Sequence, residues 1–350
     1  MPHDLPDSLH AWTDAYLRMA VQGVRSEAVS HKIALHLRRF QQFFEARYRQ
    51  ERISSCLKRD VAAWQQTLEA QDLASATINN HLASLSAFGT WVQAHDDAVF
   101  PMGDPTKGVG DLALPPLEPR ALNEQQIQSL KNLCDRLPVF YQLKGRRWAR
   151  TAEPTPHRRN ARPWRDRAMV FVLLSTGLRR EELVTLNRDQ LHPNTADALR
   201  AAHRARISGV QGKGKTQRDV FLSQDARVAL ADYLEQEHAQ DAAGIAEPPL
   251  FLAAAEVTNR RADGRLSTRS VNHILDQIGR WHDAESADPE RHIAPLRPHD
   301  LRHTFAFQLA KVTGADAYEL ERRLGHRSQR YIQRYTNPPE AVAAAYVEAL

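Results

Sequence analysis

Cysteine is almost missing from this sequence, with Cys56 and Cys134 the only two in 350 residues. Two such residues build no disulfide framework and show no metal-ligand spacing, so they read as packing residues in a reducing compartment. Long apolar runs are missing too. The most apolar stretch, AMVFVLL at 168–174, falls far short of the roughly 20 residues that a membrane-spanning helix needs. The opening residues MPHDLPDSLH lack the apolar core of a secretory signal. A large net charge is absent as well, since 47 Lys and Arg against 42 Asp and Glu leave +5. These absences exclude a disulfide scaffold and a helical membrane protein, and the sequence reads as cytosolic.

The positive charge that is present is concentrated. Between Leu143 and Arg167, nine Lys and Arg face only Glu153 and Asp166, which leaves the rest of the chain slightly acidic. Concentrated basicity suits a polyanion, DNA or RNA first. Hydrophobic content of 42% and charged content of 25% belong to a globular protein, and the length suits two domains better than one core.

Residues 1–102 read as a helical domain. Ile33, Leu37, Phe40 and Phe44 recur at spacings of four, three and four, and Ile78, Leu82, Leu85 and Trp91 lie on one face behind the cap candidate Ser75. Residues 103–119 carry prolines at 105, 115, 116 and 119 and glycines at 103, 108 and 110, which reads as a linker. Helical signals resume in a domain over 120–350, where Asn123 and Gln126 make a loose capping box. An Arg- and Pro-rich insertion, about 145–163, reads equally as a solvated excursion or a DNA contact. ARISGVQGKGKTQRDVFLS gives alternating runs on either side of a Gly-Lys turn, a β-hairpin signal, and helices are expected around 224–238, 268–283, 300–313 and 316–325. The fold class is therefore mostly α with a small β-hairpin or sheet.

Breaking a DNA strand without a metal needs a particular set of groups. Two arginines can hold the phosphate oxygens with bidentate, permanently charged hydrogen bonds. Histidines can donate or move protons, and a lysine can protonate the departing 5′ oxygen. A tyrosine, with a phenol pKa of about 10, makes a reversible nucleophile whose phosphodiester a DNA hydroxyl can later attack. The chain holds such groups in four places. TGLRREEL offers Arg179 and, one helical turn on, Glu182; QGKGK offers Lys213 and its competitor Lys215; RPHDLRHTFA offers His299 and Arg302; LGHRSQRYIQRY offers His326 with Tyr331 and Tyr335.

These four boxes resemble the tyrosine recombinase family, the phage integrases and the Xer recombinases. Arg179, Lys213, His299, Arg302, His326 and Tyr335 match its pattern in type, order and spacing, and RDRA at 165–168 and DPTKGV in the linker extend the likeness. The family's spacing puts the nucleophile nine residues after the histidine of LGH, which selects Tyr335 and leaves Tyr331 a residue that packs or touches DNA. Arg180 reads as a surface or backbone-contacting residue, Thr216 stands where a second lysine is common, and Arg218 reads as a phosphate contact. Glu182 is expected either to orient Arg179 or Lys213 or to form a surface ion pair. The i, i+4 pair His299 and His303 lacks the neighbours a zinc site requires, so neither metal nor cofactor is expected.

The resemblance implies a SAM-like four-helix core-binding domain plus an α+β catalytic domain, clamped about duplex DNA. It further implies a homotetramer on paired sites, cleavage through a 3′-phosphotyrosyl link and passage through a Holliday junction. Integration, transposition and resolution of DNA elements share these residues. Without a long segment ahead of the first helices, arm-type DNA binding is not expected, and the tail's Val342, Tyr346 and Leu350 would dock on their own or a neighbouring subunit. Strand relaxation of the type IB topoisomerase kind, or a non-catalytic DNA-binding protein of the same fold, are the competing readings.

Overall fold

The computed structural model of the protein describes residues 5–114, 120–142, 160–212, 216–314 and 316–325. Lys213, Lys215, His326, Tyr331, Tyr335, the C-terminal tail and the insertion up to residue 159 lie outside the described residues. The chain divides into two compact units, Met1–Leu117 and Glu118–Leu350.

The first unit is four helices: α1 (Leu9–Tyr16), continued by a π turn over Leu17–Val21, α2 (Glu27–Tyr48), α3 (Lys58–Ala70) and α4 (Ser75–His95). The Ser8 hydroxyl caps α1 by accepting from the Ala11 N–H at 3.3 Å. The 3.6-residue periodicity of α2 and α4 is realised directly, with Leu37, Phe40, Phe44, Ile78, Leu82 and Leu85 all buried. The core is rich in rings, such as Trp12 edge-on to Trp91 at 6.2 Å between centroids. Ser75 is the first helical residue rather than the cap, a place taken by Ala74 with its extended ψ of 139°.

Much of the stretch expected as a linker from residue 103 is built into this unit. Asp104 closes a tight turn by accepting from the Thr106 N–H at 2.9 Å and its hydroxyl at 2.7 Å. The Asn79 amide then clamps the Leu112 backbone in both directions at 2.9 Å, and Val109 and Leu112 pack on the core. Proline and glycine stop a helix, but side-chain hydrogen bonds can still hold such a segment down.

The second unit is organised about α6 (Pro163–Thr176), in which every residue from Ala168 to Leu174 is buried. A helix apolar on all sides must be surrounded, and α5 (Glu124–Gln142), α9 (Gln224–Tyr233) and α12 (Pro298–Thr313) enclose it. The Asn123–Gln126 capping box forms reciprocally, at 3.0 and 2.8 Å. A short α7 (Arg180–Thr185) leads to β1 (Leu191–His192), α8 (Ala196–Ala201), β2 (Ala205–Gln211) and β3 (Gln217–Leu222). The strands form one antiparallel sheet in the order β1-β2-β3, with Ile207 opposite both Leu191 and Val220. A bulge between Ile207 and Val210, with Gly209 at φ 62°, lets Val210 point inward three residues after Ile207. After α9 the chain continues through a π turn (Leu234–His238) and the short α10 (Ala239–Asp241), and ends its described course in α11 (Thr268–Glu285), α12 and α13 (Ala317–Leu324). No described helix is long and apolar enough to cross a membrane.

The last residues of the Arg- and Pro-rich insertion are fixed. Arg162 binds Asp241 through two hydrogen bonds of 2.7 Å and Glu256 at 2.9 Å. Glu237 accepts the Trp164 and Arg165 N–H groups at the start of α6, where a helix N-terminus favours an acidic partner. The RDRA motif is thus a helix-start motif, with Arg165 and Asp166 paired in the interior at 2.7 Å.

Buried between α2 and α4, His36 and His81 stack at 3.9 Å between ring centroids. Burial, then His36 and the cations Arg39 and Lys32, push the His81 imidazole down to about 4; burial and Lys32 also lower His36. A histidine whose folded pKa is depressed binds its proton more readily when unfolded, so stability is full above the unfolded value near 6.5 and is lost as pH falls toward 4. The first unit should lose about 3 kcal/mol through this one group over that window. Denaturant titrations of wild type and His81→Leu at pH 7 and pH 5 check this, with the variant showing the smaller drop.

Candidate active site

The site begins where α6 ends. Gly177 takes the left-handed conformation at φ 60°, and its N–H closes the helix on the Leu173 carbonyl at 3.0 Å. Only glycine fits here, because its φ is positive and an added Cβ would run into the Phe305 ring. The turn delivers Arg179 to the N-cap of α7. Glu182, three residues on, accepts the Arg179 N–H at 2.9 Å and its guanidinium at 2.8 Å, which is a capping box with a charged partner.

Glu182 is no surface residue, being only 3% exposed. A second guanidinium compensates its burial: Arg218 of β3 grips both carboxylate oxygens, at 3.0 and 2.6 Å. Burial alone would raise the Glu182 carboxyl, but the hydrogen bonds and charge of Arg218, and then of Arg179, hold it below the ordinary carboxylate range. Arg218 therefore serves a buried carboxylate, where the sequence suggested a phosphate contact. Its Nε also donates to the Arg323 carbonyl in the last turn of α13 at 3.0 Å.

Arg302 and His299 come from the start of α12, where Pro298 sits in the first turn and Asp300 accepts the Arg297 N–H at 2.8 Å. Arg302 is 3% exposed. One of its Nη groups donates to the Gly177 carbonyl at 2.5 Å and the other to the Leu324 carbonyl at 2.7 Å. A single cation thus satisfies acceptors at the C-terminal ends of α6 and α13, where the helix dipoles favour positive charge. Next to it, the protein surroundings and then the charges of Arg302 and Arg179 hold His299 below the ordinary histidine range. The His303 ring lies edge-on to it at 5.5 Å. Among the described residues, the trio whose ligand atoms converge closely enough for a metal is His10, Glu45 and Glu51 in the first unit.

Two pairs far apart in sequence, Arg179 with Glu182 and His299 with Arg302, thus come near one another about the Gly177 turn, while Lys213, His326 and Tyr335 lie outside the described residues. Strands β2 and β3, which lead into and out of 213–215, are closed by a 2.7 Å hydrogen bond from the Gly212 N–H to the Thr216 carbonyl. The role of Arg218 was missed from sequence. A signal existed, since Arg218 alternates with the buried Val220 and Leu222 in β3, and a cation on an inward-facing register implies a buried partner.

Residues 150–341, more than half of the chain, match the phage integrase family. Over 176 residues the chain is 34% identical to the tyrosine recombinase XerC of Syntrophus aciditrophicus, an alignment spanning 49% of this chain and only about half, 48%, of that relative. Over 292 residues it is 28% identical to XerC of Roseiflexus, covering 83% and 77% of the two chains. Among solved structures, the fold is similar to the Tn1549 transposon integrase in complex with a circular intermediate DNA, with a TM-score of 0.66, 17% identity and coverage of 99% and 100%. It is similar also to the XerH recombinase bound to a palindromic difH substrate, with a TM-score of 0.65, 15% identity and coverage of 97% and 82%. The chain belongs to the phage integrase family of tyrosine recombinases.

The two arginines should separate in their effect on folding. Arg302→Ala strands two buried carbonyls and should cost about 3 kcal/mol of stability. Arg179→Ala leaves Glu182 still gripped by Arg218 and should cost under about 1 kcal/mol. Equilibrium unfolding of the two variants checks the difference.

Proposed function

We propose that the protein is a site-specific DNA recombinase that cuts and rejoins duplex DNA through a covalent tyrosyl intermediate. The observation that carries this reading is the approach of Arg179, Arg302 and His299 to the Gly177 turn, with Glu182 already shared between two guanidinium groups. Such a cluster keeps an excess of positive charge and suits a phosphodiester passing through an anionic transition state.

In this reading Arg179 and Arg302 hold the non-bridging oxygens of the scissile phosphate, with His299 and His326 beside them. The Tyr335 oxygen attacks phosphorus, the tyrosine–phosphate bond forms and the bond to the 5′ oxygen breaks. Lys213 supplies the proton that the 5′ oxygen takes up, and a neutral imidazole such as His299 can take the phenol proton. The 5′ hydroxyl of a partner duplex then attacks the phosphotyrosyl link and regenerates the free tyrosine. One phosphodiester replaces another, so no external energy source and no metal enters the chemistry. The proposal includes contact of both units with duplex DNA, and a homotetramer on two paired sites.

Covalent protein–DNA adducts trapped in cells from wild type, Tyr335→Phe and Tyr331→Phe, followed by sequencing of the attached DNA, test this reading. Wild type and Tyr331→Phe should form adducts at one sequence, and Tyr335→Phe should form none. Adducts that persist in Tyr335→Phe would move the nucleophile elsewhere. A wild type that forms none on any DNA would favour a binding protein, and adducts without strand exchange between duplexes would favour simple relaxation.

A further inference from the structure

Arg218 takes no part in the chemistry proposed above, yet its guanidinium makes three hydrogen bonds beside Arg179. Its side chain is 9% exposed and holds both oxygens of Glu182 while donating its Nε to the Arg323 carbonyl. Gly325, which follows the last turn of α13 at φ 62°, packs against the same guanidinium: a Cβ added there would lie 3.1 Å from its Nη1. One side chain therefore connects β3, the strand leaving residues 213–215, to the cap of α7 and to the end of α13, which leads into residue 326.

The charge balance gives this connection a consequence. Glu182 carries one negative charge and is shared by two guanidinium groups, Arg179 through Nη1 and Arg218 through both its Nη groups. The bidentate partner is Arg218, so it supplies most of the compensation that a buried carboxylate needs. Arg179, whose side chain keeps 25% of its surface exposed, is held by one such bond and retains donors for another anion. Without Arg218, Glu182 would have Arg179 as its sole remaining guanidinium partner, and that ion pair would tighten at the expense of any bound phosphate.

We propose that Arg218 is a positioning residue: by taking the larger share of Glu182, it leaves Arg179 available to the scissile phosphate. The proposal rests on the recombinase reading above. In this role Arg218 touches no DNA, and removing Glu182 together with it should undo part of the damage.

The test uses the full chain and the duplex recovered from wild-type adducts, made with a nick beside the cleavage position so that cleaved product accumulates. Adduct formation is timed at saturating protein for wild type, Arg218→Gln, Arg218→Lys and Glu182→Gln/Arg218→Gln, and DNA affinity is measured in parallel by gel shift. Arg218→Gln should slow adduct formation about a hundredfold while its DNA affinity stays within about threefold, and Arg218→Lys, which keeps the charge but not the fork, should fall between it and wild type. The double variant should react about tenfold faster than Arg218→Gln, because the loss of both charges frees Arg179. A double variant no faster than Arg218→Gln would reduce Arg218 to a structural anchor and overturn the proposal. An Arg218→Gln rate within about threefold of wild type, or a loss explained by weaker DNA binding, would overturn it too. A wild type inert on every duplex would instead sink the recombinase reading, and this inference with it.

Discussion

The second unit depends on one buried cation. Arg302 stands where the ends of α6 and α13 approach α12, and its two Nη groups bind the Gly177 and Leu324 carbonyls. Helix C-termini leave carbonyls without intrahelical partners, and in the interior these need a donor. A guanidinium is the one side chain that presents parallel donors with permanent charge to both at once. The arginine that the sequence nominates for phosphate binding is therefore also a structural cross-brace. Its orientation is set before any DNA arrives, and preorganisation of this kind is what makes an electrostatic site effective.

Around that brace most of the groups lie at or near an end of an element. Arg179 caps α7, His299 and Arg302 open α12, and the carbonyls of Arg323 and Leu324 close α13. Ends carry unsatisfied backbone groups and permit abrupt changes of direction, so side chains from separate helices can converge there. The apolar interior of α6, buried from Ala168 to Leu174, supplies the rigidity that the ends lack. Sequence distance is thereby converted into contact: the Glu182–Arg218 pair joins residues 36 apart, and Arg302 to Gly177 spans 125.

How far this was legible in the sequence follows from the kind of signal each feature leaves. Helices with a strong apolar period, such as α2 and α4, announce themselves because burial and the 3.6-residue repeat coincide. The hairpin of β2 and β3 was readable from alternation about a Gly-Lys turn, but β1 was not, since two residues carry no period. The packed segment from 103 to 112 was hidden by Pro105 and its three glycines; what fixes it is an aspartate turn and an amide clamp from Asn79, and neither has a hydrophobic pattern. Arg179, His299 and Arg302 were legible as motifs because their spacing is local. The partnership of Glu182 with Arg218 was not, because it is a tertiary pairing between a helix start and a strand, and the sequence offered Arg218 to solvent and phosphate.

The electrostatics of the cluster carry one more implication. Arg179, Arg218 and Arg302 bring three permanent positive charges to the site: Glu182 binds the first two, and Arg302 is held by the Gly177 and Leu324 carbonyls. The charges of Arg302 and Arg179, which add to desolvation in lowering the basicity of His299, repel one another in the folded protein. On the recombinase reading, an entering phosphate would relieve that repulsion as it gains its hydrogen bonds, so the free energy of binding would include energy already invested in assembling the site. Adding another acid to the cluster would make the unliganded protein more stable, and it would do so by occupying the donors that the phosphate needs. On the recombinase reading such a site keeps donors in reserve for its anion, as Arg179 does with one bond to Glu182 and 25% of its side chain exposed, and the buried packing of α6 gives it a rigid base.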